Sequence, residues 1–228
     1  MAKIKFTAFM ADARGSVAGT VFSKNRYSAY TRTKVSPVNP QTIAQQGVRQ
    51  FFTQLSQAWR ALTELQRKLW NQNAINFNRT NVFGDQVKLN GFNLFKQLNQ
   101  NLLVVGQPVI NDAPAPGAVF GFTSASLAAD TGGGTLILTY APVIPAGTSV
   151  ILSATTQLSA GVNFVKSELR KIDTIIAADV SPLDISAEYI VKFGALPAVG
   201  TKVFVEIKPV NDTTGQAGTP LKLSAIAI

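Results

Sequence analysis

The stretch over residues 39–74, NPQTIAQQGVRQFFTQLSQAWRALTELQRKLWNQNA, leaves the chain little conformational choice. Ala44, Val48, Phe51, Phe52, Leu55, Ala58, Trp59 and Leu62 recur every three or four residues, so a helix lines them along one side for about five turns. Asn39 is placed to cap this helix and Pro40 to open it, because proline has no amide to leave unbonded in the first turn. Thr63 followed three residues later by Gln66 spells a capping box, so a second helix starts where the first stops, with Leu65, Leu69, Trp70, Ala74 and Phe77 on its apolar side. Two helices joined without a spacer must either bend sharply or pair as a helical corner, and Trp59 and Trp70 then fall near their shared core. Arg49, Arg60, Arg67 and Lys68 lie off both stripes and mostly lack an acid four residues away, which predicts a basic outer helix face.

Both flanks are read against this scaffold. Residues 3–9 alternate loosely, as a strand would, and DARGSVAG over 12–19 reads as a turn. Residues 17–23 and 27–35 are rich in β-branched and aromatic types around a polar SKNR turn, the pattern of a hairpin; its return strand sets Tyr30, Arg32 and Lys34 on one face. Downstream, 78–90 is a polar loop. Asn90 then caps a third helix whose stripe is Phe92, Phe95, Leu98, Leu102 and Leu103 and which Gly106 and Pro108 end.

At Asn111 the character changes. NDAPAPG over 111–117 is a stiff linker, and beyond it 119–127, 134–140, 148–155, 168–177, 201–210 and 220–226 read as strands with turns between them. Six or seven short strands predict a sandwich of immunoglobulin or fibronectin type, with residues 185–193 as a helical turn crossing between its sheets. The expected fold is therefore α+β: a basic hairpin and three-helix docking domain over 1–110, a linker over 111–117, and an all-β sandwich over 118–228. A length of 228 residues suits two domains.

Composition narrows the chemistry. Cysteine and histidine are both absent, which removes disulfides, thiolate nucleophiles, imidazole bases and Cys/His metal sites together. The start of the chain lacks the apolar core of a signal peptide, and no apolar run approaches the roughly 18 residues of a membrane span. Only 14% of residues are charged, and the charge is uneven: fourteen Lys and Arg stand against three acids up to residue 110, then seven against nine. A basic half beside a near-neutral half points to an anionic partner for the first.

Paired carboxylates are the catalytic device left, but Asp173, Asp179, Asp184 and Glu188 fall in turn and strand-edge positions where solvated carboxylates are common, so we expect no enzyme, cofactor or metal site. TGGGT over 131–135 lacks the Lys-Ser/Thr of a phosphate loop and reads as a hairpin turn. The candidate partner-binding residues are Arg14, Lys24, Arg26, Tyr27, Tyr30, Arg32 and Lys34 around the hairpin, and Arg49, Arg60 and Arg67 on the helices. Interleaved cations and rings suit nucleic acid, through phosphate neutralisation and stacking; an acidic protein neighbour, or rings that simply pack on the helices, together outweigh that reading.

The run GTVFSKNRYSAYTRTKVSPVNPQTIAQQGVRQFF followed by SQAWRALTELQRKLWN resembles a family of uncharacterised proteins encoded by tailed bacteriophages, notably those of Bacteroidota hosts. Asn39, Pro40, Thr42, Gln45, Trp59, Arg60, Leu62, Thr63 and Trp70 carry the resemblance, which covers roughly residues 14–104; KFGALPAVGT over 192–201 is similar to a segment in the second half of such proteins. The resemblance implies a virion structural component, made in the host cytoplasm and carried in the particle; the basic helix-and-hairpin half, read by itself, suits docking on an acidic capsid, portal or tail surface, where many copies repeated by symmetry give firm attachment. A nucleic-acid-binding protein is the alternative. A carbohydrate-binding module touching host glycans is a third, and the shortage of Trp and Tyr beyond residue 110 argues against it.

Overall fold

A computed structural model describes residues 2–5, 12–25, 28–77, 79–81, 83–130, 132–165 and 167–228. The chain divides into two compact units, Met1–Leu94 and Phe95–Ile228, and the architecture is α+β as expected.

The first unit opens with four antiparallel strands, β1 (Ala2–Ile4), β2 (Gly15–Val17), β3 (Thr20–Lys24) and β4 (Ala29–Thr33), in the order β1-β4-β3-β2. The hairpin formed by β3 and β4 matches the expectation. The arm expected over 17–23 is instead broken at Ala18 and Gly19, where Val17 pairs with Thr20 and Ala18 takes a φ of 48°, so the polypeptide turns back and adds β2 as an edge strand. Part of the strand expected over 3–9, and Arg26 and Tyr27 at the hairpin tip, lie outside the described residues.

Helix α1 (Ile43–Ala61) is capped by Thr42, not by Asn39. Gln41 adopts a φ of 50°, which turns the backbone after Pro40; the Thr42 hydroxyl then accepts from the Gln45 amide at 3.3 Å, while Asn39 is drawn off to accept from the Arg49 guanidinium at 2.7 Å. Helix α2 (Glu64–Asn73) has the full reciprocal capping box between Thr63 and Gln66. A 3₁₀ turn (Ala74–Asn76) follows, and the expected loop holds a minimal pair of strands, β5 (Arg79–Thr80) and β6 (Gln86–Val87).

Helix α3 (Gly91–Val105) is capped by Asn90, whose side chain accepts from the Asn93 amide at 2.8 Å. It ends in a Schellman arrangement: Gly106, at a φ of 82°, donates to Leu103, and Gln107 donates to Leu102. Its first residue touches α2 backbone, since a Cβ on Gly91 would stand 2.7 Å from the Asn71 nitrogen. Phe92 meets Phe52 and Trp59 edge-on at 6.4 and 5.6 Å. Leu55, Leu62, Trp70, Ala74 and Leu94 form the buried apolar set around this corner. Leu65 and Leu69, expected inside, are exposed: being four residues apart they share one arc of the helix, while Trp70 and Ala74 share another, roughly 140° away, which is the inward one.

The second unit is the sandwich. Three strands, β7 (Ser124–Asp130), β8 (Thr135–Ala141) and β11 (Leu183–Asp184), make one sheet in the order β11-β8-β7. Four strands, β9 (Thr148–Ala154), β10 (Arg170–Ile175), β12 (Lys202–Asn211) and β13 (Leu221–Ile226), make the other in the order β10-β9-β12-β13. Helix α4 (Ser186–Phe193) crosses from β11 to β12 where a helical turn was expected. The core between the sheets is aliphatic, with Leu136, Leu138, Val150, Leu152, Ile175, Val203, Val205 and Ile207 all buried, as alternation along half-buried strands dictates. Gly134, at a φ of 71°, and Gly133, donating to Asp130, close the β7–β8 hairpin, so the glycine run is a turn.

The division between units falls inside α3, not in the proline-rich segment over 111–117. Three side-chain amides account for this. Asn99, fully buried, donates to the Phe95 and Ile110 carbonyls and accepts from the Ile110 amide at 2.7 Å, which folds the segment after the helix back on it. Asn101 donates to the Gly215 carbonyl at 2.9 Å and accepts from Lys208 on β12. Gln216 pins the supposed linker by donating to Ala115 and accepting from Gly117. Gly215, at a φ of 69°, lies so close that a Cβ there would stand 2.3 Å from the Leu98 carbonyl oxygen.

Gly215→Ala must therefore push two backbones apart as well as adopt a conformation L-residues disfavour. We expect urea denaturation to show a loss of more than about 2 kcal/mol, against about 1 kcal/mol for Gly134→Ala, which has a similar φ and open space around it. Equal losses would mean that the approach at Leu98 does not hold the unit together.

Candidate functional site

The basic residues singled out above occupy several different surfaces. In β4, Tyr30 is half-buried and Arg32 exposed, on one face of the sheet. Cross-strand partners share a face, so Lys3 of β1, opposite Tyr30, joins them, as do Ser23 and Val21 of β3. Lys24 pairs with Ala29 and therefore points to the opposite face. Lys34 lies beyond the end of β4, exposed, with its amide bonded to the Gly19 carbonyl at 2.8 Å. Arg14 is paired with Asp12 at 3.1 Å. The shared basic patch is thus Lys3, Tyr30 and Arg32. Lys3 was missed by sequence reasoning, although its alternation with Ile4 in the opening residues is the signal that could have found it.

On the helices, Arg49 and Arg60 are exposed and eleven residues apart, about 16 Å along α1. Arg49 gives one of its donors to Asn39. Arg60 sits in the last turn of α1, where a cation complements the helix dipole whether or not a partner is present. Arg67 is half-buried in α2. Among the described residues this unit has two ion pairs, Lys5 with Asp85 and Arg14 with Asp12, both exposed and so of small energetic consequence. Hydrogen bonds from Asn81 and then Lys5 hold the Asp85 carboxyl below its usual range.

Beside these cations lies apolar surface. Ile43 is 89% exposed, Val48 60% and Phe52 48%, although all three are apolar positions on α1. The buried part of the α1 stripe is its carboxyl-terminal half, at Leu55 and Leu62. The stripe was legible in the sequence; that Ile43 and Val48 at its amino-terminal end keep most of their surface exposed was not.

Several polar groups of the sandwich are bonded within it, although one carboxylate oxygen each of Glu188 and Asp212 is buried without a hydrogen-bond partner among the described residues. Asp179 accepts from the Ile176 amide at 2.8 Å, and Asp184 accepts from the amide and hydroxyl of Ser186, which hold its carboxyl below the usual range. No group of three or more Asp, Glu, His or Cys among the described residues is placed to hold a metal ion. A cavity of about 170 Å³ is lined by Tyr189, Phe193, Leu196 and Pro197, with Thr156 and Gln157 on its polar side. Its principal polar groups already have partners: the Tyr189 hydroxyl donates to the Thr155 carbonyl at 3.0 Å, and Gln157 accepts from the Ala198 amide. Tyr140 and Tyr189 are both buried, so neither can serve as a stacking platform; Phe164 is the exposed ring of this unit. No helix of the described residues is long and apolar enough to cross a membrane.

Set against protein-family models, curated proteins and solved structures, the chain matches none of them.

The buried tyrosines give the sandwich an alkaline limit. Burial pushes Tyr189 up from 10.0 to about 12, and burial, followed by the charge of Asp179, raises Tyr140 as well. The fold thus favours the neutral phenol. Its contribution is complete below pH 10 and is lost as the pH climbs through 12. Tyr189→Phe should cost about 1 kcal/mol at neutral pH, for the lost bond to Thr155, and should flatten the fall in urea midpoint between pH 10 and 12. An unchanged alkaline slope would assign that fall to other groups.

Proposed function

We propose that the protein is a non-enzymatic structural component of a tailed-phage virion, in which the basic first unit docks on a capsid, portal or tail surface and the sandwich is displayed or makes a second contact. The observation that carries this reading is the apolar surface left open on α1 in a unit with thirteen cations and three acids. A soluble domain that exposes Ile43, Val48 and Phe52 together gains by covering them, and its charge selects an anionic neighbour. The sandwich, with its apolar core closed and with Asp179 and Asp184 bonded within its own turns, is suited to being carried as a finished module. Repetition by symmetry turns a modest contact into firm attachment.

A second reading, nucleic-acid binding, is favoured by one arrangement, the shared sheet face of Lys3, Tyr30 and Arg32. It requires duplex affinity that falls steeply with salt, in proportion to the phosphates neutralised.

Quantitative mass spectrometry of purified particles of the encoding phage tests the first reading. Copies in the hundreds are expected of a capsid decoration, and roughly six to a few dozen of a neck or tail component. A chain absent from the particles overturns the virion reading, and salt-sensitive duplex binding by the purified chain would then establish the second.

A further inference from the structure

We infer that copies of this chain join head to tail through their second units, the Phe164 ring of one copy entering the cavity lined by Tyr189, Phe193, Leu196 and Pro197 of the next. The contact goes beyond the docking reading and holds or fails independently of where the protein acts.

The ring is held in place. Phe164 is 79% exposed, and among the described residues it is the one exposed aromatic ring of this unit. Both of its neighbours are fixed: the Lys202 ammonium donates to the Asn163 side chain at 3.0 Å, and Val165 is buried with its carbonyl accepting from Lys222 at 3.3 Å. A bridge between Leu158 and Lys202 anchors the start of the same loop. A phenyl group kept in water between two pinned residues has little conformational freedom left to lose when it is covered.

The cavity matches the ring in size and chemistry. At about 170 Å³ it exceeds the roughly 150 Å³ at which an apolar protein cavity takes up benzene, the ring that phenylalanine carries. None of its lining side chains is charged. Its walls are set before anything enters, because the Tyr189 hydroxyl donates to Thr155, the Gln157 oxygen accepts from the Ala198 amide, and Thr201 donates its hydroxyl and amide to the Ala198 carbonyl. The Phe193 ring, 4.7 Å from that of Tyr189, offers an aromatic wall. With its oxygen engaged, Gln157 has its NH₂ group left to donate to a backbone carbonyl of the entering loop.

Phe164 does not line the cavity of its own chain, so the ring that fills it comes from another copy. Charge permits this. From Phe95 to Ile228 eight Lys and Arg stand against nine Asp and Glu, so second units approach one another without net repulsion. Nucleic acid would set phosphates against a cavity lined by no cation, and a neutral small molecule would leave Phe164 in water. Ring and cavity are different patches, so the contact is heterologous and repeats from copy to copy until a closed ring of subunits forms.

Sedimentation velocity of the full chain at physiological salt, from about 1 μM to about 1 mM, should show self-association that extends past the dimer. Phe164→Ser, and Ala195→Trp at the lining of the cavity, should each weaken it at least about tenfold with circular dichroism unchanged, since both positions are exposed. Mixing the variants separates this contact from general stickiness. Labelled Phe164→Ser still offers a cavity and unlabelled Ala195→Trp still offers a ring, so fluorescence anisotropy should show them binding as tightly as parent copies do, in pairs that grow no further. Val17→Ser, at an exposed position of the first unit, should change nothing. A chain that stays monomeric across this range, association indifferent to Phe164→Ser, or a mixture no tighter than either variant alone overturns the inference.

Discussion

At Gly215 the loop between β12 and β13 lies against the carbonyl of Leu98 with no room for a methyl group, and the second unit is assembled around that approach. Only glycine combines the left-handed backbone with the missing side chain. Once the two backbones are this close, Asn101 can reach the Gly215 carbonyl, Lys208 can reach Asn101, and Gln216 can tie down the segment that precedes β7. Each buried amide satisfies backbone groups that would otherwise be stranded away from water, which is why such residues sit in an otherwise apolar setting. The later turns of α3 belong to the sandwich for this reason, despite being helical.

The sequence made some of this legible and hid the rest for physical reasons. Local hydrogen-bond chemistry was readable: the Thr63 and Gln66 box, the Asn90 cap and the Gly106 stop all depend on residues a few positions apart. Where two local signals competed, reading failed. Asn39 and Thr42 are both good caps, and the choice between them was settled by Gln41 turning the backbone and by Arg49 engaging Asn39. Long-range partners were not readable at all. Nothing near Asn99, Asn101 or Gln216 announces that they join segments up to 114 residues apart, so a proline-rich stretch read as a stiff linker.

The candidate site divides along the same line. That the first unit is basic follows from counting, and that Tyr30 and Arg32 share a face follows from strand alternation. That Lys24 faces the other way and Lys3 joins them depends on pairing register, which composition does not encode. The open end of the α1 stripe is the subtler case. A periodic apolar pattern states that a helix wants company; whether the company comes from its own chain depends on the rest of the fold. Here Phe92 meets Phe52 and Trp59, while Ile43 and Val48 at the start of the helix keep most of their surface exposed.

The aliphatic core of the sandwich has a chemical consequence of its own. From Phe95 to Ile228 there is no cysteine, methionine, histidine or tryptophan, the side chains that peroxide and singlet oxygen attack most readily. Apart from Tyr140 and Tyr189, the buried core of this unit is leucine, isoleucine, valine and alanine, which have no sulfur to gain oxygen and no imidazole or indole ring to open. Oxidative ageing can therefore pass over the aliphatic side chains of this unit without converting an apolar packing group into a polar one.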